Sequence, residues 1–211
     1  YTSEIASAIM DMFQQCSSKG VKWDRLILVD ICSPNPYLCS LLSEAQKLGM
    51  FQEINISGGG SDNHLDEEVA VVFRDFVQAR NRRLDRLAIH LVKVTSRVAS
   101  ILFQGLKSNT IRKFEIEDVH LQFDDHMQVW QDAVPEFSEA LLHNRSLVEL
   151  NLFSCHLADS GLSIIIQSLR NHPTLMKLSL RHNRGRTASL RALGGFLSSP
   201  TCALSYLDFS F

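Results

Sequence analysis

The amino-acid sequence predicts an α/β solenoid: a right-handed β-α coil with a parallel sheet on its concave face and helices on its convex face. Three observations carry this reading. A short apolar motif recurs seven times, with starts at residues 23, 51, 84, 111, 147, 175 and 204. Those starts lie 28, 33, 27, 36, 28 and 29 residues apart, close to a constant period. Amphipathic stretches of helical period separate the motifs. No such unit can bury its apolar face alone, so neighbours must stack, and residues 1–211 read as one elongated domain of about seven units.

The strand motif is sharpest late in the chain. Leu147-Val148-Glu149-Leu150-Asn151-Leu152-Phe153-Ser154-Cys155-His156-Leu157 fits LxxLxLxxCxL, and Leu175-Met176-Lys177-Leu178-Ser179-Leu180-Arg181-His182-Asn183 fits LxxLxLxxN. Leu204, Leu207 and Phe209 open a further unit. Looser apolar matches precede them: Trp23-Leu26-Leu28, Phe51-Ile54-Ile56, Leu84-Leu87-Ile89 and Ile111-Phe114-Ile116. In each motif the last two apolar residues are two apart, so they share one face of a strand and point inward.

The helices follow in order. Ser3 to Cys16 places Ile5, Ile9, Met12, Phe13 and Cys16 on one face, and Lys19-Gly20 ends it. Leu38 to Leu48 and Asp66 to Ala79 come next, with Asp66 as N-cap ahead of Glu67 and Glu68. Ser96 to Leu106, Ala133 to Leu142, Leu162 to Leu169 and Leu190 to Leu197 complete the set. Asn81, Asn109, Asn144 and Asn171 precede the next strands, where asparagine tolerates the left-handed backbone that lets a helix stop.

Strand, loop, helix and return in about 28 residues resembles the leucine-rich repeat, in its ribonuclease-inhibitor-like subtype with a true helix on the convex side. The resemblance covers residues 21–211. Cys155 and Asn183 fill the family's consensus Asn or Cys position, whereas Ile31, Gly59, Val92 and Val119 interrupt that ladder in earlier units. The resemblance implies a concave face that binds proteins. The last strand ends at Phe211 without a polar cap, so the natural chain is expected to continue.

Composition narrows the function classes. Apolar residues at 45% and charged residues at 21% exclude a disordered or collagen-like chain. A net charge of −2 gives no bulk argument for nucleic acid or membrane as partner. Cys16, Cys32, Cys39, Cys155 and Cys202 are scattered, odd in number and contain no CxxC pair, which points to reduced thiols and an intracellular, cytoplasmic setting. The segment Tyr1-Thr2-Ser3-Glu4-Ile5 has no signal-peptide pattern, and no apolar run reaches the length of a membrane span.

The pattern also names the residues of the open face. The first row is Arg25, Glu53, Arg86, Lys113, Glu149, Lys177 and Tyr206. A middle row follows with Ile27, Asn55, Ala88, Glu115, Asn151, Ser179 and Asp208, and a third with Val29, Ser57, His90, Glu117, Phe153, Arg181 and Ser210. The expected partner contacts are Arg86, His90, Lys113, Glu115, Glu117, Glu149, Asn151, Phe153, Lys177, Ser179, Arg181 and Tyr206. Trp130 joins them from the insertion Val119 to Asp132, which either makes contacts or packs back on the core.

Charge is blocked along the chain. Residues 112–139 hold two bases and eight acids, while residues 170–207 hold Arg170, Lys177, Arg181, Arg184, Arg186 and Arg191 with no acid. Arg80, Arg82, Arg83 and Arg86 form a third cluster. Such blocks either steer patterned partners or balance one another as solvated faces.

Catalytic and ligand-binding motifs do not emerge. His120, Asp124, Asp125 and His126 match no zinc or calcium spacing. Ser57-Gly58-Gly59-Gly60-Ser61 looks like a phosphate loop but lacks the lysine, and Asp62, Asp66, Glu67 and Glu68 would repel an anion. Cys155 and His156 project to opposite sides of an extended chain, and no GxSxG or HExxH occurs. The expected function is a non-enzymatic protein-interaction module, scaffold or sensor, needing no cofactor or metal. The alternative is a regulator of an enzyme, such as a ribonuclease inhibitor or a GTPase-activating protein, with Arg184 or Arg186 as the assisting arginine.

Overall fold

The computed structural model describes residues 3–29, 36–49, 51–58, 64–78, 84–118 and 129–210. Strands and helices alternate: α1 (Ser3–Ser18), β1 (Arg25–Val29), α2 (Pro36–Leu48), β2 (Glu53–Ser57), α3 (Glu67–Gln78), β3 (Arg86–His90) and α4 (Ser96–Gly105). Then come β4 (Lys113–Glu117), α5 (Val129–His143), β5 (Glu149–Phe153), α6 (Asp159–Ser168), β6 (Lys177–Ser179), α7 (Thr187–Leu197) and β7 (Tyr206–Asp208). A 3-10 turn at Leu106–Ser108 extends α4. The seven strands form one open parallel sheet in sequence order, and each helix packs on the helices of the neighbouring units. This is the α/β solenoid expected from the repeats.

The register follows the motif. The first row runs Arg25, Glu53, Arg86, Lys113, Glu149, Lys177 and Tyr206 across all seven strands. The inward positions between the rows form the core: Ile54, Leu87, Phe114, Leu150 and Leu178 are each at most 1% exposed. The two edge strands leave their inward residues half-buried: Leu26 and Leu28 of β1 and Leu207 of β7. In the middle of the solenoid Phe103, Phe114 and Phe137 pack ring to ring, with Phe103 and Phe137 stacked at 4.2 Å. At the β1 end Phe13 of α1 meets the edges of Trp23 and Phe51.

Two backbone devices repeat with the units. The carbonyl just before each strand pair accepts two amides from the next unit. Thus Asp24 receives Gln52 and Glu53, Gln52 receives Asp85 and Arg86, and Asp85 receives Arg112 and Lys113. Arg112, Val148 and Met176 repeat the arrangement, with all twelve N···O distances between 2.7 and 3.2 Å. Beyond the strands the chain turns through the left-handed region at Leu91, Asp118, Ser154 and His182, with φ between 48° and 56°. Each of those amides bonds the carbonyl of the third-row residue one unit on: Glu117, Phe153, Arg181 and Ser210. None of the four is glycine, so the turn is held by neighbouring units against a cost of about 1–2 kcal/mol for an L-residue.

Helix termini agree with the sequence in part. Asp66 caps α3 by accepting the Val69 amide at 2.9 Å, and Thr95 caps α4 through Val98. Gly20, at φ +70°, follows α1 as expected. Helices α6 and α7 begin three residues before their apolar pattern because their first turns are polar. Helix α5 begins at Val129 rather than Ala133 and carries Pro135 inside it.

Among the asparagines, Asn109 does adopt the left-handed form, at φ 56°. Asn144 and Asn171 do not, and Asn81 lies outside the described residues. Asn144 instead works through its buried side chain. It donates to the Leu106 carbonyl at 2.6 Å and accepts from the Ser146 and Leu147 amides. Asn183 repeats the device, donating to Leu152 and Leu180 and accepting from Leu157, while Cys155 reaches the Ile116 carbonyl.

His172 sits in the return from α6 to β6, 2% exposed, with neither ring nitrogen hydrogen-bonded. Burial, helped by the Arg145 cation, pushes its pKa down from 6.5 to about 4. The folded state therefore resists a proton that the unfolded chain accepts. Stability is expected to fall as pH drops from 6.5 towards 4, by at most about 3 kcal/mol. Urea titrations of His172→Leu against the parent should show that limb flattened. At Leu91, replacement by asparagine should raise unfolding free energy by about 0.5–1 kcal/mol, read in the same assay, because asparagine suits φ +53°.

Candidate functional site

The open face of the sheet gathers twelve of the thirteen residues expected to meet a partner. Arg86, Lys113, Glu149, Lys177 and Tyr206 share its first row, and Glu115, Asn151 and Ser179 its middle row. His90, Glu117 and Phe153 align in the third row, with Arg181 just beyond β6. Trp130 is not with them: its backbone lies in the first turn of α5, in the helical layer. The rest of the insertion up to residue 128, with His120, Asp124, Asp125 and His126, lies outside the described residues, as do Arg80, Arg82, Arg83 and Gly59 to Asp62.

Parallel pairing sets like rows side by side, about 5 Å apart, so charges of opposite sign on neighbouring strands meet. Arg25 bonds Glu53 at 2.8 Å. Arg86 Nη1 lies 3.6 Å from Glu53, while its Nε and Nη2 donate to the two carboxylate oxygens of Glu115 at 2.8 and 2.6 Å. The Glu115 bond holds Arg86 still more firmly charged. One row over, Glu117 accepts the Asn151 amide at 2.6 Å and meets His90 Nδ1 at 3.0 Å. The centre of the face is consequently closed: Glu115 is 8% exposed and Ala88 fully buried. Asn55 Oδ1, Asn151 Oδ1 and His90 Nε2 are left there without partners.

Towards β7 the surface changes character. Phe153 takes the edge of His182 at a ring separation of 5.2 Å, and the Arg181 guanidinium stands 5.9 Å from the Phe153 ring. Lys177 reaches Glu149 only at 3.6 Å. Glu149, Asn151, Lys177, Ser179 and Tyr206 line a depression of about 250 Å³. His182 was absent from the expected contacts. Its sequence signal is its place one residue beyond the third row, where the left-handed turn lifts it beside Phe153.

The loop carrying Arg184 and Arg186 is tied to the unit before it. The Arg184 amide bonds the Leu157 carbonyl, and the Asp159 carboxylate collects the amides of Arg186, Ala188 and Ser189 with the Ser189 hydroxyl. Those bonds, the Ser189 hydroxyl first, hold Asp159 well below the usual carboxylate range. Asp159 thereby occupies the N-terminus of α7. Burial, then Asp118 and Glu117, pushes the Cys155 thiol well above its ordinary value, so it is a packing group and not a nucleophile. Among the described residues no three His, Cys, Asp or Glu side chains converge as metal ligands.

No protein-family model matches the chain, and no curated protein matches it. Among solved structures it is similar to the tropomodulin C-terminal domain of Caenorhabditis elegans, with a TM-score of 0.54 and 13% identity. That match covers 78% of this chain and 90% of the other. The likeness is one of fold, an open α/β solenoid of leucine-rich-repeat type. No described helix is long and apolar enough to cross a membrane.

The Arg86–Glu115 fork makes a measurable coupling. Arg86→Met or Glu115→Leu alone should each cost about 1–3 kcal/mol by stranding a half-buried charge. The double variant should lose less than the sum of the two. Chemical denaturation of the four proteins checks this.

Proposed function

We propose that the chain is a non-enzymatic protein-interaction module that binds a partner protein across the open face of its sheet. One observation carries the reading. Seven strands in register present outward rows that, apart from Ile27, Val29 and Ala88, are polar, charged or aromatic, and no described helix lies over them. Exposed Arg181 and Tyr206 with half-buried Phe153 are the residue types that dominate protein interfaces. The ribonuclease-inhibitor-like subtype remains the preferred assignment, supported by helices of 10 to 16 residues in the repeats. An intracellular setting is supported by Cys16, Cys39, Cys155 and Cys202, all of them free thiols.

Affinity capture with the immobilised chain tests this. A protein retained by the parent should also be retained by Lys47→Glu and Arg97→Glu, which lie in the helical layer. It should be lost with Tyr206→Ala and Phe153→Ala on the open face. Retention by the open-face variants and loss with the helical ones would move the interface to the convex side.

A further inference from the structure

We propose that the β5–β7 part of the open face binds an acidic peptide segment, seating an aromatic or aliphatic side chain beside the segment's carboxylates. This rests on the protein-binding reading above and names the partner's chemistry.

The open face divides electrostatically. From β1 to β4 its charges, apart from Lys113 at the border with β5, are engaged: Arg25 with Glu53, Arg86 with Glu115 and Glu53, and Glu117 with His90 and Asn151. An incoming charge there competes with short bonds already made. Over β5–β7 the cations are less committed. Arg181 is exposed and its contact is the Phe153 ring, with no carboxylate partner among the described residues. Lys177, with 54% of its side chain exposed, has only the 3.6 Å contact to Glu149.

Two acids, Glu149 and Asp208, share this part of the face. Glu149 faces Lys177, and Asp208 accepts the Ser210 hydroxyl at 2.9 Å and its amide at 3.3 Å. Of the six bases in residues 170–207, Lys177 and Arg181 belong to this face. A carboxylate arriving over the depression between β5 and β7 meets Lys177 with the Ser179 and Tyr206 hydroxyls, and a second one further along the segment can reach Arg181 beside Phe153. Phe153, His182 and Tyr206 supply the apolar area beside it. A nucleic acid fits less well, because its evenly spaced phosphates would run onto Glu149, Asp208 and Glu117. A peptide can place its carboxylates between them.

Fluorescence polarisation tests the assignment, using a short fluorescein-labelled peptide of glutamate and aspartate around one tyrosine. Binding should weaken with added salt and fall by about tenfold or more in Lys177→Glu and in Arg181→Glu. Arg181→Lys should lose less than Arg181→Glu, and Arg25→Ala should bind as the parent does. Circular dichroism and urea midpoints identify any variant that fails to fold, and Arg181→Lys then carries the comparison. Unchanged binding by folded Lys177→Glu and Arg181→Glu, or no binding by the parent, would overturn the proposal. So would equal affinity for single-stranded DNA with the same variant pattern, which would mark a general polyanion surface. If the peptide fails while a captured partner still maps to the open face, only the acidic chemistry is lost.

Discussion

Each unit leaves a carbonyl that only the next unit can satisfy. The oxygens of Asp24, Gln52, Asp85, Arg112, Val148 and Met176 each take two amides from the following strand entrance. Buried backbone groups without partners are costly, so this doubled acceptor fixes where the next strand starts as well as its direction. The in-register rows, the inward stack of Ile54, Leu87, Phe114 and Leu150, and the left-handed turns at the far ends all depend on that start. Translation by one residue would break two bonds per unit and turn the apolar side chains outward.

Side chains take over where backbone alone does not close the ladder. Asn144 and Asn183 bridge neighbouring units from inside the core, and Asp159 does so from the helical layer by capping the helix of the next unit. These three differ in exposure but share a function. Each carries acceptors to amides that begin a segment, where no intrahelical or intrastrand partner exists. The open face uses the same logic with charge, since Glu53 and Glu115 hold Arg25 and Arg86 across strand boundaries.

The strand register was legible in the sequence even where the motif is loose. Phe51-Ile54-Ile56 and Trp23-Leu26-Leu28 keep the two-residue spacing of inward positions, and that spacing alone assigns the outward rows. Helix starts were less legible, because Asp159-Ser160-Gly161 and Thr187-Ala188-Ser189 carry no apolar periodicity. Asparagine was a poor guide to the backbone. Asn144 is more useful as a buried donor and acceptor than as a left-handed residue, while Leu91 and Ser154 adopt that conformation with no signal in their type. Of the candidate site, membership of the face was readable, but the closure of its centre was not. That closure depends on Arg86 reaching diagonally from the first row to Glu115 in the middle row of the next strand.

The alternation of sign along the first row from β1 to β3 bears on how such a chain can change by recombination. Arg25, Glu53 and Arg86 sit on successive strands. Excision of the unit carrying Glu53 would set two guanidinium groups side by side, and its tandem duplication would set two carboxylates together. Units that look interchangeable by their leucines are thus keyed to their neighbours by charge. Growth or loss of a repeat at this end therefore removes an ion pair and sets like charges together unless a compensating substitution accompanies it.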